Sequence, residues 1–292
     1  MTVAIDRHLA KGDSRWRWLR HPLVALIAEF LILAIPLNAA YGYALRTVGQ
    51  LNLGWGLLFA SVAALVACNG YVLYARYVAR RDAEELAARR IVGLPRGLAL
   101  GALLICAIVA AIGLSGDLNF SLGGWPALAG LPGVAVLAGV YEELIARGVV
   151  LRNLENLFGS ETAIVLSALL FGALHIGNPN WGLLNIAAVA IEGGVMLAAV
   201  YIATRSLWWT IGVHMAWNFT QTTIFGIADS GHEGHGLLRA HVAGPAWLTG
   251  GVFGIEASII SVALCVIVAT LFLARAYRDK RIVAPIWKRN QP

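Results

Sequence analysis

Apolar residues run through this chain in blocks too long and too continuous for the faces of soluble helices. Eight stretches, at about 22–44, 53–75, 98–114, 126–150, 161–178, 182–203, 207–227 and 252–274, each come close to the roughly 20 apolar residues a membrane-crossing helix needs. Segments apolar on every side belong in lipid or against one another, and in lipid only internally hydrogen-bonded structure survives. The expected fold class is therefore all-α: a polytopic membrane helix bundle with eight transmembrane helices, residues 1–292 forming a single integral membrane domain. No soluble domain, low-complexity run or repeat interrupts it. The connection at about 76–97 mixes arginines with Asp82, Glu84 and Glu85, which predicts a short amphipathic helix in the membrane interface. The connection at about 228–250 is rich in Gly and His and predicts a solvated loop.

Charge then orients the bundle. Charged residues are 13% of the chain, about half the share in an average soluble domain. With both termini cytoplasmic, 19 of the 22 Lys and Arg fall inside. These are Arg7, Lys11, Arg15, Arg17 and Arg20; Arg76, Arg80, Arg81, Arg89, Arg90 and Arg96; Arg152 and Arg205; and Arg275, Arg278, Lys280, Arg281, Lys288 and Arg289. Arg46 and Arg239 fall outside, and Arg147 lies within a span. That bias follows the positive-inside rule. The net charge of +6 thus reports orientation and attraction to anionic lipid, and no nucleic-acid partner is expected. The first apolar stretch, behind Arg15-Trp16-Arg17-Trp18, carries Glu29 and runs too long for a cleaved signal peptide. Trp16, Trp18, Trp125, Trp181, Trp208, Trp209 and Trp287 sit near expected interfaces, where aromatic belts belong. Cys68, Cys106 and Cys265 lie in separate spans without C-x-x-C spacing, so no disulfide framework or thiolate metal site is indicated. The use of 19 Arg against 3 Lys, with abundant Ala, points to a GC-rich bacterium and hence to its inner (plasma) membrane.

A charge inside a span costs about 2.5–3.5 kcal/mol even on the lenient insertion scale, so the polar residues that spans retain are the informative ones. The fourth stretch holds Glu142-Glu143-Leu144-Ile145-Ala146-Arg147, the fifth Phe171-Gly172-Ala173-Leu174-His175, and the seventh His214-Met215-Ala216-Trp217-Asn218. A turn near Phe158-Gly159-Ser160 leaves Glu142 and His175 each about 16 residues away, at one depth of a helical hairpin. His214 stands about nine residues, some 13 Å, beyond Arg205, which places the three in the inner half of the bilayer. Helix positions i and i+4 share a face. Arg147 can therefore pair with Glu143 while Glu142 faces a cavity, and His214 and Asn218 look the same way. A carboxylate that activates water, with imidazole and amide groups that orient it or stabilise an oxyanion, can hydrolyse an amide.

EExxxR, FxxxH and HxxxN in this order on three membrane helices resemble the CAAX-protease and bacteriocin-processing family, also called type II CAAX prenyl endopeptidases or the abortive-infection family. The similarity covers about 126–228, which would be the catalytic core. It implies a glutamate-dependent intramembrane endopeptidase acting on a membrane-associated peptide or protein. Carried over by motif, Glu142 is the base, His175 helps hold the water, His214 and Asn218 stabilise the oxyanion, and Glu143 and Arg147 support them. Ala146 departs from the family's usual aromatic before the arginine. No cofactor is favoured, although the family is often labelled metalloprotease, and Glu142, His175 and His214 could form a zinc set with Glu143 as base. Against zinc stand the better placement of Glu143 for Arg147 and the lack of an HExxH helix. Two other classes stay open. One is a catalytically silent membrane partner, such as an immunity or sensor-binding protein; the other is a transporter or proton relay, where buried Glu and His also serve. Glu192, before Gly193-Gly194, is a further suspect, with a structural hydrogen bond the favoured reading. His232, His235 and His241 are read as belonging to a solvated loop.

Overall fold

The computed structural model describes residues 22–124 and 131–289; Trp16, Trp18, Trp125 and the five basic residues from Arg7 to Arg20 lie outside them. The fold is 73% helical. Pro22–Glu29, Phe30–Ala34 and Ile35–Val48 follow one another as one rod (α1, 22–48). Then come α2, Leu53–Tyr77, and α3, Gly93–Gly113. Leu131–Glu143 continues through a wide π-helical stretch, Leu144–Leu151, into Arg152–Ala173, which breaks at Gly159 into α4 (131–158) and α5 (160–173). Residues 183–204 form α6 and 207–224 form α7, each with its own π-helical stretch, Ala190–Met196 and Phe219–Ile224. Ile259–Arg278 is α8.

Among the described residues, five helices are long and apolar enough to cross a membrane: Leu26–Val48, Leu53–Tyr77, Ala88–Gly113, Leu183–Thr204 and Ile259–Arg278. The rods α4, α5 and α7 are not among them. The polar groups Glu142, Glu143 and Arg147 on α4, and His214 with Asn218 on α7, dilute the apolar signal of those two, while α5, which leads into His175, is short.

Glycine sets the two junctions that matter most. At Gly159 the backbone takes φ +81°, and an added Cβ would lie 2.8 Å from the Val283 carbonyl oxygen, so only glycine makes the expected turn under the returning C-terminal tail. Gly93, Gly97 and Gly101 form a stripe on α3. A Cβ on Gly97 would meet the Trp209 carbonyl oxygen at 2.2 Å, and one on Gly101 the Val213 carbonyl oxygen at 2.3 Å. Backbones this close gain dispersion contact that side chains would block. Because both numbers rise together, α3 and α7 run parallel, and their C-terminal ends lie at one end of the molecule.

Four expectations change here. An antiparallel ribbon, β1 (Leu118–Leu122) with β2 (Leu238–Val242), in the register Leu118↔Val242 to Leu122↔Leu238, ties the segment after α3 to the segment after α7; the fold is not purely helical. The connection at 76–97 is no amphipathic helix. It makes two tight 3₁₀ turns, Glu84–Leu86 and Ala88–Arg90, because Arg81 and Glu85 turn inward and pair at 2.8 Å beside Tyr71. The last rod starts at Ile259 rather than 252, where Ser258 caps it by accepting from the Ser261 N–H. Trp208 and Trp209 pack between elements instead of anchoring at an interface. Trp208 donates to the Leu86 carbonyl at 3.1 Å, while Trp209 lies against Gly93 and Phe272.

Candidate active site

Gly139, one turn before the glutamates, lets α7 approach α4 closely: a Cβ there would lie 2.9 Å from the Met215 backbone nitrogen. That contact aims His214 at α4. His214 Nδ1 is 3.0 Å from Glu143 Oε1, and Arg147 Nη1 donates to the same oxygen at 2.6 Å. Arg147 also donates to the Gly194 carbonyl at 3.3 Å, and its guanidinium lies 4.9 Å from the Phe171 ring centre. The expected i,i+4 pair forms, although the backbone from Leu144 follows the wider π path.

The adjacent glutamates differ sharply in access. Glu143 and Arg147 side chains are 0% and 2% exposed, while Glu142 is 26% exposed. Glu142 Oε1 accepts from the Tyr41 hydroxyl at 2.8 Å, and its Oε2 lies 3.9 Å from His214 Nε2. Tyr41 is held by stacking on Tyr141, ring centres 5.5 Å apart. Glu143 Oε2 is buried with no hydrogen-bond partner among the described residues, although such an atom ordinarily has one.

His175 joins through Phe171. A Cβ on Gly193 would strike the Phe171 ring at 2.3 Å, so glycine opens the seat for this ring on α6. From that seat Phe171 stands 5.0 Å from the His175 ring and 6.4 Å from His214. His175 Nδ1 is 2.9 Å from the Phe171 carbonyl oxygen, which leaves Nε2 as its outward nitrogen. Asn218 is half-buried one turn beyond His214; its carbonyl accepts from Thr222, and its side-chain amide takes no hydrogen bond among the described residues.

Among the described residues no three His, Cys, Asp or Glu side chains stand together to hold a metal. The Nδ1 atoms of His214 and His175 are engaged by Glu143 and the Phe171 carbonyl, which leaves Nε2 as the outward nitrogen of each ring. The set Glu142, His175 and His214 does not converge in this arrangement.

Glu192 is buried on α6 beside Ser261 and Cys265 of α8, with Oε1 unpartnered among the described residues. His232, His235 and His241 do not cluster. His235 faces Glu233 at 3.6 Å, and His241 hydrogen-bonds Ser121 across the ribbon. Two residues of the neighbourhood escape sequence reasoning: Tyr41, a single hydroxyl in an apolar span, and Asp229, in the connection expected to be solvated. Burial pushes the Asp229 carboxyl up to about 6, with the charges of His214, Glu142 and His175 acting on it.

Residues 124–220, about a third of the chain, match the family described as type II CAAX prenyl endopeptidase Rce1-like, a protease family. Comparison with curated proteins and with solved structures gave no match.

Proposed function

Through residues 124–220 the chain carries the Rce1-like signature of the CAAX-protease and bacteriocin-processing family, and from that premise we infer an intramembrane endopeptidase whose lytic water is activated by Glu142. The observation that carries this reading is the asymmetry of the two glutamates. Glu143 is sealed between Arg147 and His214, while its neighbour keeps a reachable carboxylate held by Tyr41. Glu142 takes a proton from the water as the oxygen attacks the peptide carbonyl carbon. Negative charge then develops on the carbonyl oxygen, where His214 Nε2, on a ring protonated at both nitrogens, and the Asn218 amide are the donors. As the C–N bond breaks, Glu142 returns the proton to the leaving amine. Glu143 fixes His214 by accepting from Nδ1, Arg147 fixes Glu143, and His175 orients the water. In this reading the reaction needs no metal.

The same inference places eight spans in the membrane with both termini cytoplasmic. It draws support from the parallel α3 and α7, whose ends share one ribbon, and from the one-sided basic residues. Reporter fusions within 80–96 and after Gln291 should then read cytoplasmic, and those within 230–245 external; an external C-terminus contradicts the topology. The substrate is a membrane-associated peptide or protein, and the membrane a bacterial inner membrane. Comparative proteomics of membrane peptides from cells with the wild type and with Glu142→Ala tests the function. Fragments that depend on Glu142 are expected, and identical peptide sets would overturn the reading.

A further inference from the structure

The turn between α6 and α7 gathers more positive charge than it can neutralise. α6 ends at Thr204, and Arg205 takes the left-handed conformation, φ +54°, to begin the turn. Two arginines from distant parts of the chain reach the end of this helix. Arg90, in the second 3₁₀ turn of the 76–97 connection, donates from Nη1 to the Thr204 carbonyl at 3.0 Å. Arg281, just beyond α8, donates from Nη1 to the Ala203 carbonyl at 2.5 Å. These acceptors are consecutive carbonyls of one helical turn, so the two guanidiniums are held close together. Arg205 adds a third guanidinium. It binds Glu155 at 2.5 and 2.9 Å, and its Nη2 also donates to the Arg281 carbonyl at 2.5 Å.

A helix C-terminus favours a cation, because its free carbonyls carry about half a negative charge. One guanidinium satisfies that. Here the nearby acids are already taken: Glu155 by Arg205, Glu84 by Arg89, and Asp279 by Arg275 and Arg278. Neither Arg90 nor Arg281 meets a carboxylate among the described residues. Donors also outnumber acceptors, since Arg90 Nε and Arg205 Nε have no partner among the described residues. All three side chains are half-buried, and like charges partly withdrawn from water repel. An anion between them removes that cost. The level of the cluster selects which anion. α3 begins just after Arg90, α6 ends at Thr204 and α8 ends at Arg278, and each belongs to a helix long and apolar enough to cross a membrane. Their ends meet at this turn, which is where lipid headgroups would lie. Basic pockets between such helix ends suit anionic headgroups, and a guanidinium matches the paired oxygens of a phosphate.

We propose that Arg90 and Arg281 form a binding site for the phosphate of an anionic phospholipid, with the Ala203 and Thr204 carbonyls holding the two guanidiniums in place. Neither arginine lies within residues 124–220, and the site does not depend on the endopeptidase reading. Its test is the affinity of the full chain in detergent for phosphatidylglycerol and for phosphatidylcholine of equal chain length, titrated by native mass spectrometry. Phosphatidylglycerol should bind more tightly. Arg90→Gln combined with Arg281→Gln should weaken that binding roughly 30-fold, about fivefold for each arginine. Arg89→Gln combined with Arg278→Gln removes the same charge from exposed side chains that face Glu84 and Asp279. That pair should change the affinity little, because exposed charges away from the phosphate are screened by salt. An equal loss in both pairs means general surface attraction and overturns the site, as does equal affinity for the two lipids. Inorganic phosphate in large excess should leave the lipid bound; displacement overturns the lipid assignment in favour of a free phosphate. Should the Arg90 and Arg281 variant fail to fold, the wild type still decides. A phosphatidylglycerol with a photoreactive headgroup should crosslink next to Arg90, Arg205 and Arg281, and crosslinks confined to other parts of the chain overturn the proposal.

Discussion

Two kinds of carboxylate–arginine cluster stand among the described residues, and they are composed differently. In the first, each acid has a guanidinium of its own. Glu85 takes Arg81 at 2.8 Å with the Tyr71 hydroxyl at 2.5 Å; Glu155 takes Arg205 at 2.5 and 2.9 Å with Ser160; Glu29 takes Arg152, with Asn153 at 2.6 Å. These pairs tie helices together where α2, α4, α6 and the tail converge, and their charges cancel one to one. The second cluster holds two acids, Glu142 and Glu143, for a single arginine. Arg147 neutralises Glu143, so a carboxylate is left over, and it is the accessible one. A structural ion pair explains the first kind completely. It does not explain the second, because burying an extra charge makes a bundle weaker. Among the carboxylate–arginine clusters, a surplus carboxylate separates the candidate site from the scaffold.

That contrast breaks or sharpens in defined ways. The largest effect is on stability: Glu143→Gln strands Arg147, Arg147→Ala strands Glu143, and Glu85→Gln strands Arg81. Removing one partner of a buried pair typically costs about 3–5 kcal/mol, so all three should lower the melting temperature in detergent well below that of the wild type. If Glu143→Gln melts with the wild type while Glu85→Gln does not, the site pair is not a buried pair in the scaffold's sense. A smaller effect comes from Tyr41→Phe, which removes the hydroxyl from Glu142. Hydrogen bonds to charged groups contribute about 1.5–3 kcal/mol, so cleavage should slow by roughly tenfold or more with stability little altered, as single-turnover rates would show. Unchanged rates mean Tyr41 is only packing. Chelation should have the least effect, with dialysed protein free of stoichiometric zinc and still active. Zinc bound near one per chain and lost in His175→Ala would return the zinc set to consideration.

Much of this is legible in the chain itself, because hydrophobic length and charge placement are local properties. The Gly159 turn, the Glu143–Arg147 pair, and His214 facing the glutamates all come from spacing. What spacing cannot carry is contact between distant segments. Tyr41 reaches Glu142 across 101 positions, and nothing local marks that one tyrosine among eight. Asp229 has the look of a loop residue because Gly and His surround it, while the bonds that pin its turn come from Asn178, Gln221 and Glu256. The inward turn of Arg81 and Glu85 is hidden for the same reason: a charge run looks solvated until its buried partner, here Tyr71, is known. The close seat of α7 on Gly93, Gly97 and Gly101 is likewise a contact between distant segments. Of the three rods that fall short as apolar spans, α4 and α7 do so because the polar residues that mark the site sit on them, and α5 because the Gly159 break leaves it short.

The most direct test of the central claim sets Glu142→Gln beside Glu143→Gln, measuring peptide cleavage per folded molecule and melting temperature in the same preparation. Glu142→Gln should fold like the wild type, because it strands no partner, and should lose about 10²–10⁴ in cleavage, the range for general acid–base catalysis. Glu143→Gln should be the less stable of the two and keep more activity per folded molecule. A well-folded but inactive Glu143→Gln beside an active Glu142→Gln would contradict the assignment of the base, and normal cleavage by both would contradict the protease itself.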